Sequence, residues 1–227
     1  MGQFNHNYKA VIFDMDGTIT DSEPLWKIAM EEVFHSVGCP LTRDQFAVTV
    51  GMRIDEVILY WFNKIGWQGA TPKEVEDRII DKMDELIRQT ATPLPGVLET
   101  LDHLRAKNYL IGLGTSSYKK LINAVLDTLN INDKFDFVHS AEDEVYGKPH
   151  PAVFLTVADA LKVDPKDCLV LEDSFNGVLA GKSAKMHVVC IPEKSHKPDA
   201  RLMIADYHFE TMSDMLHDLK ISEIKAI

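Results

Sequence analysis

The chain has no long hydrophobic run. None approaches the ~20 apolar residues of a membrane span. The longest near the N-terminus, Ala10 to Phe13, is too short for the apolar centre of a signal peptide. Met1-Gly2 opens like an acylation site, but His6 stands where Ser or Thr belongs. Cysteine is scarce. Cys39, Cys168 and Cys190 lie far apart and form no Cys-x-x-Cys pair, which argues against a disulfide framework or a zinc ribbon and fits a reducing compartment. Positive charge is also short: 24 Lys and Arg stand against 35 Asp and Glu, for a net charge of -11. Nucleic acid or an anionic membrane is therefore not expected as the main partner, and a phosphorylated substrate would need local cations to approach. The nine histidines contain no His-x-x-x-His pair, and there is no internal repeat or low-complexity segment. A soluble, cytoplasmic monomer is expected.

The 227 residues, 45% of them hydrophobic, suffice for one large domain or one domain with a sizeable insertion. Periodicity divides the chain unevenly. From Ser22 to Thr92 every periodic stretch reads as helix. Ser22 is placed to cap the first, which ends at Gly38. Thr42 starts a second through about Val50, Ile54 to Ile65 make a third, and Thr71-Pro72 with Glu74 begins a fourth. After Pro93-Leu94-Pro95-Gly96 the pattern becomes an alternation. Strands are predicted at Tyr109 to Gly114, Phe135 to His139, Cys168 to Leu171, His187 to Ile191 and Tyr207 to Phe209, with helices between them and after the last. Such alternation indicates a parallel sheet with helices on both faces, here interrupted by a small helical bundle. In these sheets ligands sit beyond the carboxyl ends of the strands.

That rule selects the chemistry-bearing positions. The buried-strand pattern Ala10 to Phe13 runs into Asp14 and Asp16, two apart and so on one side of extended chain, and Gly17 then permits a sharp turn. Two adjacent carboxylates at a buried strand end call for a cation or a shared proton. After the later strands come Thr115-Ser116-Ser117, then Gly147-Lys148-Pro149, then Glu172-Asp173-Ser174. Singly these are a helix start, a loop lysine and a turn; together they suit phosphoryl transfer. Four carboxylates against one lysine would repel a phosphate dianion unless a metal were present. Mg²⁺ prefers oxygen ligands, and Asp14, Asp173 and a main-chain carbonyl near Asp16 could hold it, with Lys148 and the Thr115 hydroxyl facing the phosphate.

Asp14-Met15-Asp16-Gly17-Thr18, Thr115-Ser116-Ser117, Lys148-Pro149 and Glu172-Asp173-Ser174, in that order, resemble the four signature motifs of the haloacid dehalogenase superfamily. More closely they resemble its β-phosphoglucomutase-like sugar phosphatases, with Asp21-Ser22-Glu23-Pro24, Gly51-Met52-Arg53 and Gly147 to Pro151 extending the likeness over nearly the whole chain. The resemblance implies a Rossmann-like α/β core, residues 1–21 and 93–227, with a four-helix cap, residues 22–92, inserted after the first strand. It implies a Mg²⁺-dependent phosphatase for a small phosphorylated sugar or sugar alcohol. Asp14 would be the nucleophile, forming an aspartyl-phosphate, and Asp16 the general acid and base. Thr115, Ser116 and Lys148 would bind the phosphoryl group. Asp14, the Asp16 carbonyl and Asp173 would hold Mg²⁺, with Glu172 a ligand or an outer partner. Arg53 matches a position that contacts the distal group of the substrate. The alternative is a β-phosphoglucomutase-type isomerase. Against it, Trp26 stands where such mutases carry a histidine, and Tyr118 where they tend to carry a lysine.

Other motifs are set aside. Gly177-Val178-Leu179-Ala180-Gly181-Lys182-Ser183 has three residues between its glycines where a nucleotide phosphate loop needs four, and it reads as helix. Asp14 to Gly17 lacks the glycine spacing of a calcium loop. A receiver-type signalling domain, also phosphorylated on Asp, would be about half this length and would lack the inserted bundle.

Overall fold

The computed structural model describes Phe4 and residues 6–49, 52–192 and 199–225. Its centre is a six-stranded sheet: β1 (Ala10–Phe13), β2 (Leu110–Thr115), β3 (Phe137–Ser140), β4 (Cys168–Glu172), β5 (His187–Cys190) and β6 (Tyr207–His208). The order is β3-β2-β1-β4-β5-β6, with every neighbouring pair parallel. β1 lies in the middle, with Phe13 in register with Leu113 on one side and Leu171 on the other.

The apolar strands are buried on both faces, as a parallel sheet requires. Val11, Phe13, Ile111, Leu113, Leu169 and Leu171 join one core cluster; Ala10, Ile12, Cys168, Val170 and Val188 join the other. This is the two-residue alternation of extended chain. The first face is covered by α4 (Val97–Ala106), α5 (Lys119–Leu129) and the terminal α8 (Met212–Lys225). The second is covered by α6 (Ala152–Leu161) and α7 (Phe175–Ser183). All three cysteines are free and buried, and burial pushes the Cys168 and Cys190 thiols up to about 12. No helix among the described residues is long and apolar enough to cross a membrane.

Between β1 and β2 the chain makes α1 (Glu23–Ser36), a 3-10 segment (Arg43–Thr49), α2 (Ile54–Lys64) and α3 (Pro72–Thr90). The second predicted helix is thus a 3-10 turn. Its buried residues, Phe46 and Thr49, recur every three residues, the 3-10 period. Val50, where that helix was expected to end, lies outside the described residues. α3 begins as expected, with Thr71 and Glu74 forming a reciprocal capping box. Apolar residues of the insertion, among them Phe34, Trp61 and Ile79, belong to the same core cluster as the first face of the sheet. The insertion leaves and rejoins the core at one place. Thr20 bridges to Pro93, its hydroxyl donates to the Thr92 carbonyl at 2.9 Å, and the Leu94 N–H donates to the Ile19 carbonyl at 2.8 Å.

Candidate active site

The strand ends meet at the rim of one cavity between the sheet and the insertion. Asp14 directly follows β1, its main-chain N–H held by the Leu171 carbonyl at 3.0 Å, and its side chain is buried. The loop after β3 brings in Lys148, which is only 4% exposed. Its ammonium donates to Asp14 Oδ1 at 2.5 Å and to Glu172 Oε1 at 2.7 Å, and it lies 4.6 Å from the centroid of the Phe154 ring. Opposite charges nearby, those of Asp14 and Glu172, push Lys148 above its usual value although burial works against them.

Glu172 ends β4 and is fully engaged. Oε1 takes Lys148; Oε2 accepts from the main-chain N–H groups of Asp173 and Ser174, both at 3.0 Å, and from the Ser174 hydroxyl at 3.1 Å. Ser174 caps α7, so Glu172 lies across the start of that helix, a favourable place for an anion. The room exists because position 177 has no side chain: a Cβ on Gly177 would sit 1.6 Å from Glu172 Oε1. Gly17 serves Asp173 likewise. Its φ is +73°, and a Cβ there would lie 2.2 Å from Asp173 Oδ2.

Asp14, Glu172 and Asp173 each present a carboxylate oxygen within 4.8 Å of the others. The oxygen-only donor set suits a hard cation such as Mg²⁺ and offers no soft ligand. The charge balance points the same way. Three acids gather where there is one lysine, which pairs with two of them, and burial pushes the Asp14 carboxyl up to about 7 from 3.8; Lys148 opposes the rise, while Glu172 and Asp16 add to it. A divalent cation would cancel that excess. Because the Oε2 and Oε1 atoms of Glu172 are already spent on the helix start and on Lys148, it would fit an outer role beside such a cation, and Asp14 and Asp173 are the carboxylates that could donate to it directly.

The raised value has a consequence for stability. Between the unfolded value near 3.8 and about 7, the folded protein holds a proton on Asp14 that the unfolded chain has released. The contribution of this group is therefore most favourable at low pH and is lost as pH rises through about 7. In EDTA, thermal stability should fall between about pH 5.5 and about pH 8 more steeply for the natural protein than for Asp14→Asn, and Mg²⁺ should remove the difference. Parallel melting profiles for the two would show that Asp14 is not the source.

The Asp16 carboxylate is absent from the acidic triplet. Oδ1 accepts from the Ser22 hydroxyl at 2.5 Å and the Trp26 indole N–H at 3.0 Å; Oδ2 accepts from the Ser117 hydroxyl at 2.7 Å, with Thr115 Oγ1 at 3.5 Å. Any part it plays with a metal falls to its main chain. Ser116 lines the cavity, and its hydroxyl is buried without a hydrogen-bond partner, an open donor where the expected phosphate would lie. The Thr115 hydroxyl accepts from the Ser117 N–H at 3.1 Å, which tightens the turn after β2.

Arg53 is not brought to this rim. Nε and Nη2 bind Asp55 at 2.6 and 2.8 Å, and Nη1 donates to the Ala141 and Glu144 carbonyls, both at 2.8 Å. It fastens α2 to the loop after β3, and its guanidinium is occupied. Tyr118 is likewise turned to the insertion, its hydroxyl donating to the buried Glu76 of α3 at 3.0 Å. Sequence reasoning read Ser22 as a helix cap, but its hydroxyl makes no capping bond and turns to Asp16. It also missed the parts of Ser117 and Ser174, whose only signal was their place beside strand ends, and of Gly177, which lies within α7.

Comparison with known proteins places the chain in a family. Residues 8–185 match the profile of the haloacid dehalogenase-like hydrolases. Hexitol phosphatase B of Escherichia coli strain K12 is 38% identical over 207 residues, which span 91% of this chain and 93% of that protein. β-Phosphoglucomutase of Bacillus subtilis is 31% identical over 217 residues, 92% of this chain and 94% of that one. The crystal structure of β-phosphoglucomutase from Clostridium difficile superposes with a TM-score of 0.82 at 27% identity, covering 96% of this chain and 99% of that one.

Proposed function

Because the chain belongs to the haloacid dehalogenase-like hydrolases, and is a phosphatase among them, we propose that it hydrolyses small phosphorylated sugars or sugar alcohols through an aspartyl-phosphate, with Mg²⁺ as cofactor. The observation that carries the reading is the meeting of Asp14, Asp16, Ser116, Lys148 and Asp173 around one cavity. In this reading residues 22–92 form a cap over a core of residues 1–21 and 93–227, and the cap excludes bulk water while the ester is cleaved.

The reaction in this reading gives the groups the roles that the family resemblance implies. The Asp14 carboxylate attacks phosphorus, and the ester oxygen departs with the bonding electrons, taking a proton from Asp16. Asp16, now a carboxylate, removes a proton from water as the water oxygen attacks phosphorus. The acyl phosphate P–O bond breaks, and phosphate leaves with Asp14 restored. Lys148 holds Asp14 in place and faces the charge that grows on the phosphoryl oxygens, and Ser116 and Thr115 supply hydroxyls to them. A bound Mg²⁺, held by Asp14, Asp173 and the Asp16 main chain, would neutralise that charge. Asp14→Asn, taken up in the Discussion, tests the nucleophile.

The insertion side of the cavity is formed by Ser22, Glu23, Trp26, Met30, Phe46, Thr49, Met52, Ile54 and Val57. Lys148 is the one cationic side chain among the described residues lining the cavity, and both its acidic partners hold it. Among the described residues lining the cavity, a second phosphate would meet no counter-charge. In a screen of phosphorylated metabolites, release of phosphate should require Mg²⁺ and stop in EDTA. Monophosphates such as a hexitol 6-phosphate should exceed the matching bisphosphates in kcat/KM by about 10-fold or more, because desolvating an unpaired anion costs at least that much. No Mg²⁺-dependent release from any sugar or polyol phosphate would sink the assignment.

The second reading, an isomerase, is favoured by the likeness to β-phosphoglucomutase of Bacillus subtilis. Trp26 and Tyr118 weigh against it, since an indole N–H cannot relay a proton and Tyr118 faces Glu76. Incubation with a hexose 1-phosphate separates the two: free phosphate supports the phosphatase, hexose 6-phosphate the isomerase.

A further inference from the structure

Asp16 is gripped from two sides. Oδ2 is held by Ser117, from the loop after β2; Oδ1 is held by Ser22 and Trp26, from the first turn of α1. These donors are not equivalent. A serine hydroxyl can rotate and accept as readily as it donates, whereas an indole N–H can only donate. Trp26 therefore obliges the oxygen it touches to remain an acceptor, whether Asp16 is a carboxylate or a neutral acid. The protein contains three tryptophans, and the indole N–H groups of Trp61 and Trp67 are buried without partners. Trp26 alone has its N–H engaged, and it is engaged by Asp16. Ser22 points the same way: it stands at the N-cap position of α1, yet its hydroxyl forgoes the capping bond and turns to the same carboxylate oxygen.

We propose that Trp26 is a positioning residue which, from the insertion, fixes the orientation of Asp16 so that Oδ2 is the oxygen that delivers and collects the proton. Oδ2 lies on the side of Ser117 and Thr115, next to the loop assigned to the phosphate, while Oδ1 is turned to α1. Without the indole donor the carboxyl can rotate and present either oxygen in either state, and a transferable proton spends time facing α1. The ring also lines the cavity, so the same side chain that sets Asp16 forms part of the wall beside the leaving group. The inference rests on the acid and base role given to Asp16 above.

The test uses leaving groups that differ in their need for a proton. Trp26→Phe keeps an aromatic ring and removes the N–H. Its kcat/KM should fall about 10-fold or more for an alkyl phosphate and by less than about 3-fold for 4-nitrophenyl phosphate, whose leaving group departs without protonation. The loss should sit in kcat rather than KM. Asp16→Asn should show the same bias more strongly. Equal losses of the variant on both substrates, or a loss confined to KM, would reduce Trp26 to a wall residue and overturn the proposal. If Asp16→Asn itself shows no leaving-group bias, the acid role of Asp16 fails instead, so the two ideas fall separately. A spectroscopic measurement serves should Trp26→Phe not fold. In the ¹⁵N-labelled protein, Asp16→Ala should move one of three indole N–H resonances and leave the other two in place. Three unmoved resonances would refute the contact in solution.

Discussion

Asp14→Asn should lose phosphate release by on the order of 10⁴-fold or more while keeping its fold, because an amide of the same shape cannot take the place of the attacking carboxylate. The surroundings make this a clean experiment. Lys148 retains Glu172 as partner, and an asparagine carbonyl at position 14 can still accept from its ammonium. The substitution also removes one of the buried acids whose mutual repulsion and desolvation push Asp14 up. The metal-free variant should therefore melt no lower than the natural protein near neutral pH, and it should give no acid-stable, hydroxylamine-sensitive phosphoryl label. Retention of full turnover by purified Asp14→Asn would show that another group attacks phosphorus.

Lys148→Met should have the largest effect on stability. The ammonium is 4% exposed and pairs with two buried carboxylates. Methionine fills much of the space along Phe154 but leaves Asp14 and Glu172 with no cation, and breaking a buried pair in this way costs about 3–5 kcal/mol. The sign of the pH response follows. Asp14, already raised by burial, is raised further, so the folded variant gains a proton that the unfolded chain lacks, and its stability should recover as pH falls from about 8 to about 5. Added Mg²⁺ should restore part of the loss at neutral pH by supplying the missing charge. Activity should fall by about 10²–10³-fold even where the fold survives, since the phosphoryl oxygens lose their fixed cation. Chemical denaturation at two pH values, with and without Mg²⁺, measures all of this. A variant as stable as the parent in EDTA at pH 8 would mean that the buried triad carries much less charge than its geometry implies.

How much of this was legible beforehand depended on range. The strand-end motifs could be placed because a parallel sheet gathers its carboxyl ends at one edge, so that Asp14, Thr115 and Glu172, over 150 residues apart at the extremes, land together once the alternation is recognised. Directions of long side chains could not be read. Arg53 sits where a contact to substrate was expected, yet Asp55, two residues on, and two carbonyls of a distant loop claim its guanidinium. Whether Glu172 touches a metal also depended on contacts that no spacing reveals: a lysine from another loop and the start of the helix that follows it. Gly177 drew notice only as part of a failed phosphate-loop pattern. Its use is to leave space for a carboxylate five residues earlier, which is a fact of packing rather than of motif. The segment Arg43–Thr49 was helical as expected, but two buried residues three apart are too few for periodicity to separate a 3-10 turn from an α-helix.

The narrow neck through which the helical insertion departs and returns bears on how such a protein can diversify. Within a few residues of Asp16, Thr20 is hydrogen-bonded to Thr92 and Leu94 to Ile19, and Thr20 bridges to Pro93. Strands on either side of the excursion pair directly, so the hydrogen-bond register of the sheet is set without the helices beyond that stalk, although some of their apolar residues share its core. Helices outside it can be lengthened, re-lined or exchanged without disturbing the register of the strands that carry the nucleophile. New substrate preferences can thus arise by remodelling the excursion beyond its first helical turn, which must stay because Ser22 and Trp26 hold Asp16.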